Sequence, residues 1–243
     1  MRDDRSFLYG DGLFETVRVE ASEVRFLTRH CARLRRSGAA LGFNAAQIEE
    51  ACALLARPEG REGLWRVTVS RRDPGIAFGG SGQVCGRWRP GLPVAKPVTL
   101  VTMPGFYLPD DALAEHKTTS WLRSVELRRR AQLLGADDGV GVSADGRVGE
   151  CSAANLLVLL EDQWVTPPVR GILPGVTREV LLECSSQRGR RVEEVEVTHE
   201  DLSRARAIAL VSTGVGVQEA RSIDGRELAL GQIAKIKVLL EDL

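Results

Sequence analysis

The chain has 243 residues, in which Lys and Arg together number 33 and Asp and Glu together also number 33. This length suffices for one large domain or two small ones with a substantial core. Because the formal net charge is zero, charge gives no argument for binding to nucleic acid or to a membrane surface, and we expect neither partner.

Cysteine and histidine usage argues against a metal centre. Five cysteines and three histidines occur without CxxC or other ligand spacing, so we expect no metal site. The odd number of cysteines and the lack of a signal peptide favour a cytoplasmic location. No apolar run approaches the ~20 residues of a membrane helix.

The first third of the chain predicts a strand, two helices and a second strand. The turn YGDG leads into residues 13–20, LFETVRVE, whose aromatic and β-branched side chains favour a strand. A short apolar stretch at 24–27 precedes Thr28, the expected N-cap of the first helix. Asn44 is the expected N-cap of the second helix, and LWRVTVS (64–70) alternates as a strand.

Residues 72–97 are rich in glycine and proline, which predicts an irregular linker or functional loop. We place the domain boundary near its end. The predicted division is a small α+β domain over 1–93 and a larger domain over 94–243 that contains Lys117.

The remaining sequence alternates strands and helices without a regular βαβ rhythm, which favours a barrel-like mixed sheet of the α+β class over a doubly wound sheet. The predicted elements are a strand at 97–103, a helix at about 121–134, strands around an Asp-Gly turn within 136–162, a helix at 175–189, a strand at 190–197, a capped helix at 198–205, two strands around the STG turn at 212–214, and an amphipathic C-terminal helix.

Lysine is rare in this arginine-rich chain, so a lysine between a Pro/Asp-rich loop and a helix is a candidate functional residue. Lys117 lies in HKTTS (116–120). It is compatible with a solvent-facing loop residue beside a helix cap. It is also compatible with an amine that forms a Schiff base with an aldehyde cofactor and later moves a proton.

A pyridoxal phosphate (PLP) enzyme needs an acidic partner for the pyridine nitrogen and a phosphate pocket. Glu150 begins the small-residue run ECSAAN and is a candidate for the partner of the pyridine nitrogen. It is also compatible with a surface residue at the end of a hairpin. Three features are candidates for the phosphate pocket, since arginine, free N–H groups and hydroxyls bind phosphate. They are Arg33, the helix start at 175–177 and the STG turn at 212–214. Taken singly, each is also an ordinary structural feature.

Six segments in this order resemble the class IV aminotransferases, which are fold-type IV PLP enzymes. The resemblance covers about Asp4 to Ile223, and its motifs are FLYGDGLFETVRV, HCARLRRSGAALG, HKTTSW, GECSAANLLVL, GILPGVTRE and VSTGVGVQEARSIDGREL. It implies a small N-terminal α+β domain, a larger pseudobarrel domain with the cofactor between them, and a homodimer.

The resemblance also implies roles for individual residues. Lys117 is implied as the Schiff-base lysine and proton carrier, and Glu150 as the partner of the pyridine nitrogen. Tyr9 and Thr16 are implied on the substrate side, with the Thr16 hydroxyl assisting proton movement. The implied cofactor-binding residues are Lys117, Glu150, Arg33, Val176, Thr177, Ser212, Thr213 and Asn155.

Within this family ECSAANL and Thr16 resemble the 4-amino-4-deoxychorismate lyases, which form 4-aminobenzoate and pyruvate in folate biosynthesis. Branched-chain and D-amino-acid aminotransferases are the alternative, although the loop RDPGIAFGGSG lacks the histidine of the D-amino-acid enzymes. A second alternative is a family member that lost catalysis and serves as a binding subunit.

Two departures from the family pattern affect the expected specificity. The chain begins at the DRxFLYGDG segment, so the family's preceding strands are missing from this sequence. In the 72–97 loop the lyase RGxxxRG pattern is reduced to RRDPGIAFGG, and VCGRWRPGLPV stands where the family has a strand.

Overall fold

The structure is a computed structural model that describes residues 4–72, 82–187 and 192–241. The chain divides into two compact units. The first comprises Met1–Pro93 and His116–Trp121, and the second comprises Val94–Glu115 and Leu122–Leu243.

The first unit contains a four-stranded antiparallel sheet of order β2-β1-β3-β4, packed against two helices. Its elements are α1 (Arg5–Tyr9), β1 (Gly12–Glu20), β2 (Glu23–Val24), α2 (Leu27–Ala40), α3 (Ala45–Leu55), β3 (Gly63–Ser70) and β4 (Val84–Pro90).

The second unit is built on a nine-stranded mixed sheet of order β10-β9-β8-β11-β12-β5-β6-β7, with β13 paired to β12. This arrangement confirms the predicted mixed sheet. Its elements are β5 (Val98–Pro104), a short 3₁₀ turn (Ala112–Glu115), α4 (Leu122–Leu133), β6 (Asp138–Val142), β7 (Val148–Cys151), β8 (Asn155–Leu160), β9 (Gln163–Thr166), α5 (Val176–Gln187), β10 (Val192–Glu194), α6 (His199–Arg204), β11 (Ala207–Ser212), β12 (Gly216–Ile223), β13 (Arg226–Glu227) and α7 (Ala234–Glu241).

Capping explains where several helices begin. The Asn44 side chain accepts hydrogen bonds from the backbone N–H groups of Ala46 and Gln47, which confirms it as the cap of α3. Thr198 forms a capping box with Asp201 at α6. The prediction for Thr28 is wrong, because α2 already begins at Leu27, after Phe26 in the left-handed conformation and without a side-chain cap.

The prediction of an irregular 72–97 segment is wrong over Val84–Pro90, whereas residues 91–97 have no helix or strand. Val84–Pro90 is a strand paired antiparallel to β3. The Trp88 ring lies 6.4 Å from that of Trp65, so apolar packing stabilises a strand in a segment that its Gly and Pro content marks as a loop. Residues 73–81, which hold most of the divergent loop sequence, lie outside the described residues.

The segment that contains Lys117 departs from the predicted division, which placed it in the larger domain. Lys117 O accepts a hydrogen bond from Phe14 N at 2.9 Å, and Thr119 N donates to Gly12 O at 2.8 Å. The segment therefore pairs with β1 and belongs to the first unit.

A buried ion pair connects β1 to α2 inside the first unit. The Glu15 side chain is fully buried, and Arg33 donates to its two oxygens through Nε at 2.7 Å and through Nη2 at 2.8 Å. His30 Nδ1 lies 2.9 Å from Glu15 Oε2. Burial alone raises the pKa of Glu15, but the charge and hydrogen bonds of Arg33 and the His30 hydrogen bond bring that pKa well below its usual range.

His30 is held neutral in this arrangement. Burial lowers the pKa of its imidazole, and the hydrogen bond to Glu15 only partly opposes that effect. A neutral ring beside a carboxylate carries its proton on Nδ1, which donates to Glu15. Nε2 is then an acceptor, and it has no hydrogen-bond partner among the described residues.

We expect the free energy of unfolding to fall as pH drops from 7 to 5. The unfolded chain binds a proton at His30 near the ordinary histidine pKa while the folded chain does not, so the slope from this residue reaches up to about 1.4 kcal/mol per pH unit. Glu15 adds little to the slope in this window, because most of its contribution is lost only as pH falls below the ordinary carboxyl pKa.

Urea unfolding at pH 7, 6 and 5 measures this slope. The variant His30→Asn is expected to flatten it, and His199→Asn, whose side chain is 59% exposed, serves as the matched control. An unchanged slope in His30→Asn would contradict the assignment of a buried neutral histidine.

Candidate functional site

The Lys117 side chain lies against aromatic rings of the first unit. Its Nζ is 4.6 Å from the ring centroid of Phe14 and 5.0 Å from that of Trp121. The two rings meet edge to face, with centroids 5.3 Å apart. Cation–π contacts of this length stabilise an ammonium group and restrict its position, so the half-buried Lys117 amine is held beside β1.

Thr16 lies on the same face of β1 as Phe14. Side chains alternate along a strand, and Leu13, Glu15 and Val17 are buried on the opposite face. Thr16 is half-buried. The strand therefore presents its hydroxyl on the face whose Phe14 ring contacts Lys117.

Tyr9 lies before β1, at the end of the one-turn helix α1. Asp4 caps this helix, and Gly10 ends it in the left-handed conformation with φ 70°. The Tyr9 side chain is 65% exposed, and its ring centroid lies 5.2 Å from the Arg5 guanidinium. Tyr9 is thus a helical residue and is outside the strand that carries Thr16.

Arg33 is placed in the buried network with Glu15 and His30 rather than on a solvated helix face. Its side chain is 4% exposed. Its Nε and Nη2 atoms are both engaged by Glu15. The predicted contact of Arg33 with a phosphate stays a prediction.

In the second unit, Glu150 and Asn155 are hydrogen-bonded to each other and to the segment before α5. Asn155 Nδ2 donates to Glu150 Oε2 and to Leu173 O, both at 2.9 Å. Leu173 N donates to Glu150 Oε1 at 3.2 Å. These bonds fix the orientation of the half-buried Glu150 carboxylate.

The start of α5 lies against Asn155. A Cβ atom at Gly175 would overlap the Asn155 Oδ1 atom, so a larger residue there would displace the Asn155 side chain. Val176 and Thr177 occupy the first turn of α5, and both side chains are buried. N–H groups in the first turn of a helix lack intrahelical acceptors and favour anions.

The STG turn lies at the same end of the sheet. In the register of β11 and β8, Val211 pairs with Asn155. Ser212 follows Val211, and Ser212 and Thr213 are both half-buried. The fold of the second unit therefore brings Glu150, Asn155, the start of α5 and the STG turn to one region, although they are far apart in sequence.

Sequence reasoning missed Glu15, His30, Phe14 and Trp121. A detectable signal existed for Glu15, because it stands at an inward position between Leu13 and Val17, where a carboxylate needs a partner. His30 and Arg33 share one side of a helix by their i, i+3 spacing. The aromatic contacts to Lys117 depend on tertiary structure and have no signal in the sequence.

The described residues offer neither a cluster of metal ligands nor a membrane-spanning helix. No group of three or more His, Cys, Asp or Glu side chains there is arranged to hold a metal ion. Of the helices in the same residues, none combines the length and the apolar character that crossing a membrane requires.

Known proteins match this chain over nearly its whole length. Residues 12–223 match the family model for amino-transferase class IV. The D-alanine aminotransferase of Bacillus licheniformis is 27% identical over 94% of this chain and 84% of its own. The bifunctional aminodeoxychorismate lyase / D-amino acid transaminase of Mycobacterium tuberculosis is 27% identical over 99% of this chain and 91% of its own.

Among solved structures, one similar chain is a Legionella pneumophila protein provisionally described as a 4-amino-4-deoxychorismate lyase. The two share 28% sequence identity with a TM-score of 0.89, over 99% of this chain and 93% of the other. This similarity confirms the predicted fold-type IV class, and the family match covers the segments that carry every candidate residue except Tyr9. The chain therefore belongs to the class IV aminotransferases.

Proposed function

We propose that the chain is a PLP-dependent lyase that converts 4-amino-4-deoxychorismate to 4-aminobenzoate and pyruvate. The observation that carries this proposal is Thr16, a hydroxyl on the face of β1 whose Phe14 ring contacts the Lys117 amine. The similarity to the Legionella protein and to the bifunctional mycobacterial enzyme also supports it.

The chemistry of the candidate residues fits PLP. The N–H groups at the start of α5 and the hydroxyls of Ser212 and Thr213 suit a phosphate, and Gly175 leaves room where a side chain would overlap Asn155. Lys117 supplies an amine and Glu150 a carboxylate. When bound, PLP supplies an electron sink for carbanion chemistry.

Glu150 has the role of keeping a bound pyridine nitrogen protonated. Its two oxygens accept hydrogen bonds from Asn155 and Leu173, which hold the carboxylate in one orientation. A carboxylate of fixed orientation stabilises a neighbouring proton more than a mobile one does, because no reorganisation is needed.

Lys117 and Thr16 have the roles of moving protons. The Lys117 amine takes the proton from the ring carbon that bears the substrate amine. The bond from the neighbouring ring carbon to the enolpyruvyl oxygen breaks, and the ring becomes aromatic. The enolpyruvyl oxygen leaves with the electron pair of that bond, as the enolate of pyruvate. Its methylene carbon takes up one proton, and the Thr16 hydroxyl assists this proton transfer.

An aminotransferase acting on D-amino acids or branched-chain amino acids is the second candidate. The similarity to the D-alanine aminotransferase of Bacillus licheniformis favours it. The two activities share substrate binding and the first proton removal, and they differ in where Lys117 returns the proton. Direct assay is therefore the way to separate them.

Lys117→Ala is expected to abolish the visible absorption of the lysine-linked cofactor, at about 410–430 nm, and to lower turnover at least about 100-fold. Lys96→Ala, at an exposed lysine, is the control and is expected to keep both. Retention of the band in Lys117→Ala would show that another group holds the cofactor.

Incubation with 4-amino-4-deoxychorismate alone is expected to release pyruvate and 4-aminobenzoate in equal amounts. Parallel incubations contain a D-amino acid or a branched-chain amino acid plus a keto acid. Turnover only in those parallel incubations would contradict the lyase proposal and support the aminotransferase.

Thr16→Val keeps the side-chain shape and removes the hydroxyl, so lyase turnover is expected to fall about 100-fold or more while the cofactor absorption stays. Thr16→Ser keeps the hydroxyl and is expected to retain most of the activity. Equal turnover in Thr16→Val and the wild type would remove Thr16 from the mechanism.

A further inference from the structure

Two thiols face each other between α2 and α3 in the first unit. Cys52 Sγ lies 4.0 Å from the backbone oxygen of Cys31, and the two thiols are hydrogen-bonded to each other. Both cysteines belong to the core of this unit, and each is 6% exposed. Both are free thiols, and the proposed reaction uses neither of them.

Neighbouring contacts show that these two helix faces meet over successive turns. One turn after Cys31, Arg35 donates to Glu49 through Nε at 2.7 Å and through Nη2 at 2.6 Å. One turn further along α2, a Cβ atom at Gly38 would lie 2.7 Å from an Ile48 side-chain carbon. The missing side chain at Gly38 thus lets α2 approach α3 closely. A bond between the helices requires such an approach, because the Cα atoms of a disulfide lie about 5–6 Å apart.

The two thiols are not chemically equivalent. The hydrogen bond between them lowers the pKa of Cys31 and raises the pKa of Cys52. For Cys31, burial opposes this effect and the positive charge of Arg35 supports it. Since the thiolate is the nucleophilic form of cysteine, Cys31 is the attacking thiol of the pair and Cys52 is the thiol that closes the bond.

We propose that Cys31 and Cys52 form a redox-active thiol pair that a small hydroperoxide converts to a disulfide. The oxidant has to be small because both sulfurs are almost fully buried. Solvent reaches this part of the contact between α2 and α3 at Arg35 and Glu49, whose side chains are 49% and 56% exposed.

The oxidation proceeds in two displacements at these sulfurs. The Cys31 thiolate attacks one oxygen of hydrogen peroxide, the O–O bond breaks, and the other oxygen leaves as hydroxide, which takes up the proton that Cys31 released. The Cys52 sulfur then attacks the sulfur of the Cys31 sulfenic acid, the S–O bond breaks, and the leaving hydroxide takes the Cys52 proton. The two thiols lose two electrons and two protons, and the peroxide becomes two water molecules.

The disulfide joins α3 to the helix that holds the buried ion pair. His30 and Arg33 lie on α2 on either side of Cys31, and both contact Glu15 of β1. Oxidation therefore fixes the position of α2 from its α3 side, in addition to the contacts with β1. A dithiol reductant reverses the bond by thiol–disulfide exchange.

The experiment treats the PLP-loaded enzyme with hydrogen peroxide, blocks the remaining thiols with N-ethylmaleimide, and maps tryptic peptides by mass spectrometry without reduction. Trypsin separates the two cysteines into peptides 30–33 and 37–61. The expected product is these two peptides joined by a disulfide, and dithiothreitol is expected to release them.

The other cysteines of the chain provide the controls. Cys52→Ser keeps the attacking thiol, so Cys31 is expected to remain a sulfenic acid that dimedone traps. Cys184→Ser, at a buried cysteine of the second unit, is expected to give the linked peptides as the wild type does. In the wild type, Cys31 is expected to react at least about 10-fold faster than Cys184. Oxidation of the exposed Cys85 shows that the peroxide dose is sufficient.

Linked peptides in the wild type and in Cys184→Ser, but not in Cys52→Ser, support the proposal. Unmodified Cys31 and Cys52 after Cys85 has been oxidised overturn it. Equal reaction rates at Cys31 and Cys184 overturn it, as does a disulfide that joins another pair. The wild-type map needs no variant to fold, and each result is independent of which reaction the enzyme catalyses.

Discussion

The pairing of the lysine segment with the edge of β1 is the interaction on which the first unit's candidate site depends. Backbone hydrogen bonds join Phe14 to Lys117 and Thr119 to Gly12, so Lys117 is fixed in register with the strand. Because side chains alternate along a strand, this register also decides which β1 residues share a face with the amine. Phe14 and Thr16 share it, while Glu15 is turned into the core.

Arginines in this unit have two different electrostatic environments. Arg33 is buried against Glu15. Removing one partner of such a pair lowers the free energy of unfolding by about 3–5 kcal/mol, because the remaining charge stays buried without a partner. Arg66 and Arg87 face each other, with no carboxylate partner in the part of the chain that the structure describes. The first arrangement holds α2 to β1, and the second sets two like charges opposite each other on one face of the sheet.

In the second unit, the register between strands brings together segments that are far apart in sequence. The pairing of the lysine segment with β1 has the same effect in the first unit. Asn155 begins β8, pairs with Val211 beside the STG turn, and donates to Glu150 and Leu173. Its side chain also leaves no room for a Cβ at Gly175. One buried amide thus links the candidate carboxylate to the start of α5, which makes Asn155 a structural centre of this region.

The sequence by itself determined the mixed α+β class, the family and most of the strands and helices. It could do so because these follow from local patterns: alternation in β3, the Asn44 and Thr198 caps, and motifs in a fixed order. Only the tertiary structure decided that Val84–Pro90 is a strand, that Lys117 belongs with β1, and that Glu15 engages Arg33 and His30. Those outcomes depend on pairings between residues far apart in the chain, where packing against Trp65 or the need to satisfy a buried charge outweighs local propensity.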